Sequence, residues 1–138
     1  MVKIVFAAHG NLSTGIMDAA NMLFGGLNII KTVPLQPGVA PETYDAEVEA
    51  ALNEQDCGNG VLALVDIFGG TPGNTIYRLS HRLGINTRIV TGVNLPMVLS
   101  LLSEYSENAS LDELADKAMK NGKDGVKFFG SNDNNGNN

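Results

Sequence analysis

The stretch "LALVDIFGGTPGN", residues 62–74, decides how this chain folds. Its first four residues extend an apolar run that begins at Val61 and is unbroken to Val65. A strand with one wet face alternates apolar and polar residues, whereas a strand buried on both faces reads as continuous. The run therefore predicts a central strand of a parallel sheet covered by helices. It ends abruptly in Asp66, passes through Gly69-Gly70, and meets Thr71-Pro72. Thr as cap and Pro as first residue predict a helix start, with Ile76, Leu79 and Leu83 on one face and Gly84 at the C′ position.

The same strand–turn–helix unit recurs on both sides. "KIVFAAHG" (3–10) ends its apolar run in His9-Gly10. Ser13 or Thr14 then caps a helix running to about Phe24, stopped by Gly25-Gly26. Further strands are expected at Ile29–Leu35 and Thr87–Thr91, and a weaker fifth one at Gly125–Phe129. Pro41 opens a helix whose Tyr44, Val48 and Leu52 recur at i+4, and Asn94 with Pro96 starts another. Ser110-x-x-Glu113 is a capping-box pattern for a last helix ended by Asn121-Gly122, with Glu113–Lys117 and Asp116–Lys120 as supporting i+4 pairs. The order βαβαβαβ(αα)β predicts a doubly wound, mainly parallel α/β sheet of order 2-1-3-4. Helices cover both faces, and an antiparallel C-terminal strand lies at one edge. Residues 1–129 form one domain, and the apolar-free "GSNDNNGNN" (130–138) reads as a disordered tail.

Composition narrows the function. The chain has 138 residues, 43% hydrophobic and 17% charged, with a formal net charge of −6. Its nine basic residues are scattered, so no electropositive stripe for nucleic acid is present. No apolar run reaches the ~20 residues of a membrane span, and Cys57 stands alone. A cytoplasmic protein with protein or small-molecule partners is expected. Two histidines and one cysteine make no metal-ligand set, and "GGTPGN" lacks the Gly-Lys-Ser/Thr ending of a nucleotide-binding loop. Neither a metal nor another cofactor is expected.

In doubly wound sheets, ligands bind beyond the carboxyl ends of the strands where the winding reverses. With order 2-1-3-4 that point lies between strands one and three, so His9 and Asp66 face one crevice. A carboxylate that accepts from one imidazole nitrogen leaves the other nitrogen's lone pair free. "GNLSTG" (10–15), with Ser13, and "GGTP" (69–72), with Gly70 and Thr71, aim two helix N-termini at the same place. That is an arrangement for phosphoryl oxygens. The expected chemistry is a histidine that carries a phosphoryl group, His9 being the acceptor and Asp66 orienting it. Taken singly, each residue has an ordinary structural explanation: a satisfied histidine, a loop-capping carboxylate, a tight turn. Their coincidence at one sheet edge raises the functional reading. His81, Arg78 and Arg82 fall on the outer side of their helix, and Met17, Met22 and Met97 read as packing residues.

"AAHG", "LVDIFGGTPGN", "TGVNLPM" (91–97) and "GKDGVK" (122–127), in this order and spacing, resemble the enzyme IIA component of the bacterial phosphotransferase system. The resemblance is to the mannose–fructose–sorbose family and covers the chain except its tail. It implies a phosphotransferase working through phosphohistidine. Here His9 would accept from the histidine-containing phosphocarrier protein and donate to enzyme IIB, a separate protein, in sugar uptake through the IIC/IID permease. Family members often carry Ser where this chain has Thr71. The resemblance also implies a homodimer in which the last strand can be exchanged. Two alternatives stand beside this one: a IIA-like phosphocarrier serving a dihydroxyacetone kinase, and a non-catalytic anion-binding sensory module.

Overall fold

Continuous burial marks the middle of the molecule. In the structure, a computed structural model in which residues 1–130 are described, strand β3 (Val61–Val65) is buried at every position. Strand β1 (Lys3–His9) is buried from Ile4 to Ala8 and surfaces only at His9. With β2 (Ile30–Leu35) and β4 (Thr87–Val90) they form a four-stranded sheet of order β2-β1-β3-β4, every pair parallel. This is the order expected from the sequence.

Side-chain alternation along the two central strands separates two cores. Ile4, Phe6 and Ala8 of β1, with Leu62 and Leu64 of β3, face α1 (Leu12–Leu23), α4 (Leu95–Ser103) and α5 (Leu111–Asp124). Val5 and Ala7, with Val61, Ala63 and Val65, face α2 (Pro41–Gln55) and α3 (Thr71–Leu83). Burying each side chain of Leu or Ile size contributes roughly 1.5–3 kcal/mol, which is why both faces must be roofed. Gln55, buried at the end of α2, donates its Nε2 to the carbonyls of Ile4 and Ile29 and so ties α2 to the start of β1 and β2. All of this directs the carboxyl ends of β1 and β3 to one open edge.

Several local expectations are corrected. The cap of α1 is Asn11 rather than Ser13 or Thr14, and it makes no side-chain cap bond, because its Oδ1 accepts from Gln36 Nε2 at 2.8 Å instead. The cap of α3 is Gly70; Thr71 is already the first helical residue and caps nothing. The capping box at Ser110 forms, with the Ser110 amide donating to Glu113 at 2.7 Å. Glu113 is thus committed to the cap. Lys117 bridges to Glu104 (3.1 Å) and Lys120 to Asp124 (2.8 Å), in place of the expected pairs with Glu113 and Asp116. Met97 is buried and Met17 packs on the core, but Met22 is 89% exposed.

The antiparallel edge strand at Gly125–Phe129 does not form. Asn121-Gly122 does not end α5, because Gly122 serves close packing: a Cβ there would sit 2.6 Å from Met97 Cε. The helix runs on to Asp124 and Gly125 keeps an αR conformation, so only a short segment is left. That segment adds no strand to the sheet, and Val126, Phe128 and Phe129 are all largely exposed. The expected tail, from residue 131 onward, lies outside the described residues. No helix among the described residues is long and apolar enough to cross a membrane.

Candidate active site

His9 ends β1 and Asp66 follows β3, which are neighbours in the sheet with Ala7 opposite Val65. Two residues on from Ala7 and one on from Val65, the chains part and the side chains meet. Asp66 Oδ2 lies 2.8 Å from His9 Nδ1 and also accepts the His9 backbone N–H at 3.0 Å; Oδ1 accepts from the Ile67 amide at 3.1 Å. A carboxylate can only accept here, so Nδ1 carries the proton, and in the neutral ring Nε2 keeps its lone pair. The imidazole is 46% exposed while the carboxylate is 12% exposed: the ring is presented and its partner is sheltered. Partial burial pushes the Asp66 carboxyl up, but the hydrogen bonds from the His9 amide and ring, with the attraction of the imidazole, outweigh it and hold the group below the usual carboxylate range.

Gly70 packs against the His9 ring at Cε1, where a Cβ would come within 2.8 Å. Gly70 has φ −85°, which any residue adopts, so the glycine is there for the close approach alone. The preceding Gly69, at φ +85°, supplies the left-handed turn that brings the loop back. Its carbonyl accepts from Asn74 Nδ2 at 3.2 Å, pinning the loop to α3. The Gly92 amide donates to the Asp66 carbonyl at 3.1 Å, and the Gly10 amide to that of Leu35 at 2.8 Å, so the turns after all four strands brace one another.

Beside the imidazole opens a cavity of about 600 Å³ whose lining includes His9, Gln36, Tyr44, Asp45, Thr71 and Arg78. The structure therefore brings His9, Asp66, Gly70 and Thr71 together. Ser13 is separate in character: it is fully buried in the first turn of α1, and its Oγ has no hydrogen-bond partner. His81 is exposed on α3, its Nδ1 at 2.8 Å from the Tyr77 carbonyl. Sequence reasoning missed Arg78 and Asp45, which bridge α3 and α2 at 2.8 Å on the cavity wall. The spacing Thr71, Thr75, Arg78 was the available signal, since i, i+4 and i+7 share one helix face that starts at the site. Among the described residues, no group of three or more His, Cys, Asp or Glu could hold a metal ion.

An imidazole with a proton locked on Nδ1, a free Nε2, and a helix N-terminus beside it can take up and release an electrophilic group with anionic oxygens. Comparisons with known proteins give the family. Residues 3–119 match the profile of a family described as PTS system fructose IIA component. The PTS system mannose-specific EIIAB component of Escherichia coli (strain K12) is 32% identical over 126 residues, which are 91% of this chain and 39% of that protein. The chain thus spans about two fifths of that relative's length. The PTS system fructose-specific EIIA component of Bacillus subtilis (strain 168) is 32% identical over 124 residues, 86% of this chain and 82% of that one. The solved mannose/sorbose specific IIA subunit from Enterococcus faecalis matches with a TM-score of 0.81 at 26% identity, over 95% of this chain and 96% of that one. The profile match alone takes in most of the chain, His9 and Asp66 included, so the chain belongs to the family of phosphotransferase-system fructose IIA components.

Proposed function

We propose that this chain is a phosphocarrier of the sugar phosphotransferase system, and that His9 Nε2 is the atom that carries the phosphoryl group. The observation that supports it most is the 2.8 Å contact between His9 Nδ1 and Asp66 Oδ2, on the far side of the ring from the open nitrogen. In this reading the Nε2 lone pair attacks the phosphorus of a phosphohistidine on the histidine-containing phosphocarrier protein. The donor's P–N bond breaks and its electron pair returns to the donor imidazole. The positive charge that builds on the His9 ring is met by the Asp66 carboxylate, while the Nδ1 proton stays in place. Enzyme IIB then presents its own nucleophile and the same events run in the opposite direction, feeding sugar uptake through the IIC/IID permease. Amides at the start of α3 around Gly70 and Thr71, with the Thr71 hydroxyl, face the phosphoryl oxygens. The Ser13 hydroxyl reaches them only by turning out of its buried place. The exposed Val126, Phe128 and Phe129 support a homodimer in which a second copy covers them.

Intact-mass measurement after incubation with phosphoenolpyruvate, enzyme I and the phosphocarrier protein tests the reading. One acid-labile phosphoryl group is expected on the wild type and on His81→Ala, and none on His9→Ala. Uptake by His9→Ala, or its loss in His81→Ala alone, would refute the assignment.

A further inference from the structure

Two ion pairs of the same kind join α2 to α3, one turn apart on both helices: Arg78 with Asp45, and Arg82 with Glu49. As links between helices they are duplicates. They differ in what else they touch, since Arg78 and Asp45 line the cavity beside His9, whereas Arg82 and Glu49 do not. Arg78 is the one arginine or lysine among the lining residues. Its pairing uses Nη2 alone at 2.8 Å, so the remaining donors of the guanidinium fork are open. Asp45 is held below the usual carboxylate range, first by that hydrogen bond and further by the nearby positive charges. Helical side chains lean toward their N-terminus, and the N-terminus of α3 is where Gly70 packs on the imidazole. Arg78 lies seven residues, about 10 Å, along the axis from Thr71, with Thr75 between them on the same face. A phosphoryl group on Nε2 would add up to two negative charges to the far end of that stripe.

We propose that Arg78 is a phosphoryl-binding residue whose guanidinium exchanges Asp45 for the phosphoryl oxygens when His9 is loaded, Asp45 being the counter-ion of the empty state. This rests on the reading of His9 as the carrier. The exchange is electrostatic and makes or breaks no covalent bond. It has a built-in opposite: removing Asp45 frees the guanidinium and favours the loaded form, while removing Arg78 disfavours it.

The experiment measures the equilibrium phosphorylation of the full chain against the phosphorylated histidine-containing donor protein, read by intact mass. The variants are Arg78→Gln, Arg78→Lys, Asp45→Asn and Arg82→Gln. Arg78→Gln should lower the equilibrium constant about fivefold, the scale of one exposed charge-assisted contact. Arg78→Lys should restore part of it, Asp45→Asn should raise it, and Arg82→Gln should leave it unchanged. The ³¹P resonance adds a second readout: the phosphoryl group should lose its second proton about one pH unit higher in Arg78→Gln. If Arg78→Gln does not fold, Arg78→Lys and Asp45→Asn carry the test by their opposite signs. Equal effects of Arg78→Gln and Arg82→Gln, no effect of Arg78→Gln, or a fall in Asp45→Asn would overturn the inference while leaving His9 as carrier. No uptake by the wild type would overturn both.

Discussion

Gly70→Ala separates the geometry of the site from the stability of the fold. The added Cβ would lie 2.8 Å from His9 Cε1, and 3.2 and 3.4 Å from Ile67 Cγ1 and Cδ1. Carbon atoms in contact settle near 3.5 Å or beyond, so the ring must retreat by about 0.7 Å. The backbone does not object, with φ −85° and ψ 169° open to alanine. Ile67, 55% exposed, can turn aside, but the imidazole is tethered to Asp66 and cannot move without distorting the 2.8 Å bond. A displacement of that size, directed along the bond, takes it to the limit of what counts as one, and directed across it bends the bond from linearity. Misplacing a reacting group by about 1 Å costs on the order of 10²-fold in rate. Gly70→Ala should therefore slow phosphoryl uptake from the donor protein by about 10- to 100-fold. Its melting temperature should stay close to that of the wild type, since the fewer unfolded states of alanine offset the loss of glycine as the cap of α3. Rapid-quench uptake with labelled donor, beside a thermal melt, checks both halves. Wild-type uptake would refute the argument, as would a loss of rate explained by unfolding.

Asp66→Asn should slow uptake by about 10²-fold or more through loss of tautomer control, with the chain still folded; far-ultraviolet circular dichroism and the uptake assay decide. The lowered Asp66 ionisation makes a pH signature. Its stabilisation is complete above the unfolded carboxylate value of about 4 and is lost as pH falls through the lower folded value. Acid melts of the wild type should thus drop more steeply than those of Asp66→Asn. Thr71→Ala should change stability by no more than about 0.5 kcal/mol, because Thr71 caps nothing, so any slowing of uptake reports on its hydroxyl alone. Ser13→Ala removes a buried hydroxyl with no partner and should stabilise by about 1 kcal/mol in denaturant titration; slower uptake in this variant would mark the hydroxyl as a phosphoryl contact. A chain ending at Gly125 should sediment as a monomer and the full chain as a dimer, the cut falling after α5 so that Gly122 keeps its place against Met97.

The sheet was legible because β1 and β3 are buried on both faces, and that burial writes itself as uninterrupted apolar sequence. Strand order followed from the alternation of strands and helices, and the order placed His9 beside Asp66. What stayed illegible depends on partners distant in sequence. Asn11 looks like an ordinary loop residue until Gln36, 25 positions away, occupies the oxygen that would have capped α1. Gly122 looks like a helix stop until Met97 is seen to need the space. Arg78 looks like surface until Asp45, 33 positions earlier, fixes it over the cavity. Local sequence carries local competition well, and it carries no record of which distant group wins.

His9 offers one open nitrogen on one exposed ring, and the carboxylate behind it closes the other side. In the proposed reading, a donor and an acceptor that both need Nε2 cannot be bound together, and a carrier of this kind works by release and recapture. Its throughput is then capped by how fast each complex falls apart. With association at about 10⁷ M⁻¹s⁻¹, a hundred transfers per second require dissociation constants of roughly 10 μM or weaker on both sides. On that reading tight binding would stall the relay, and flux through this surface is favoured by weak affinity.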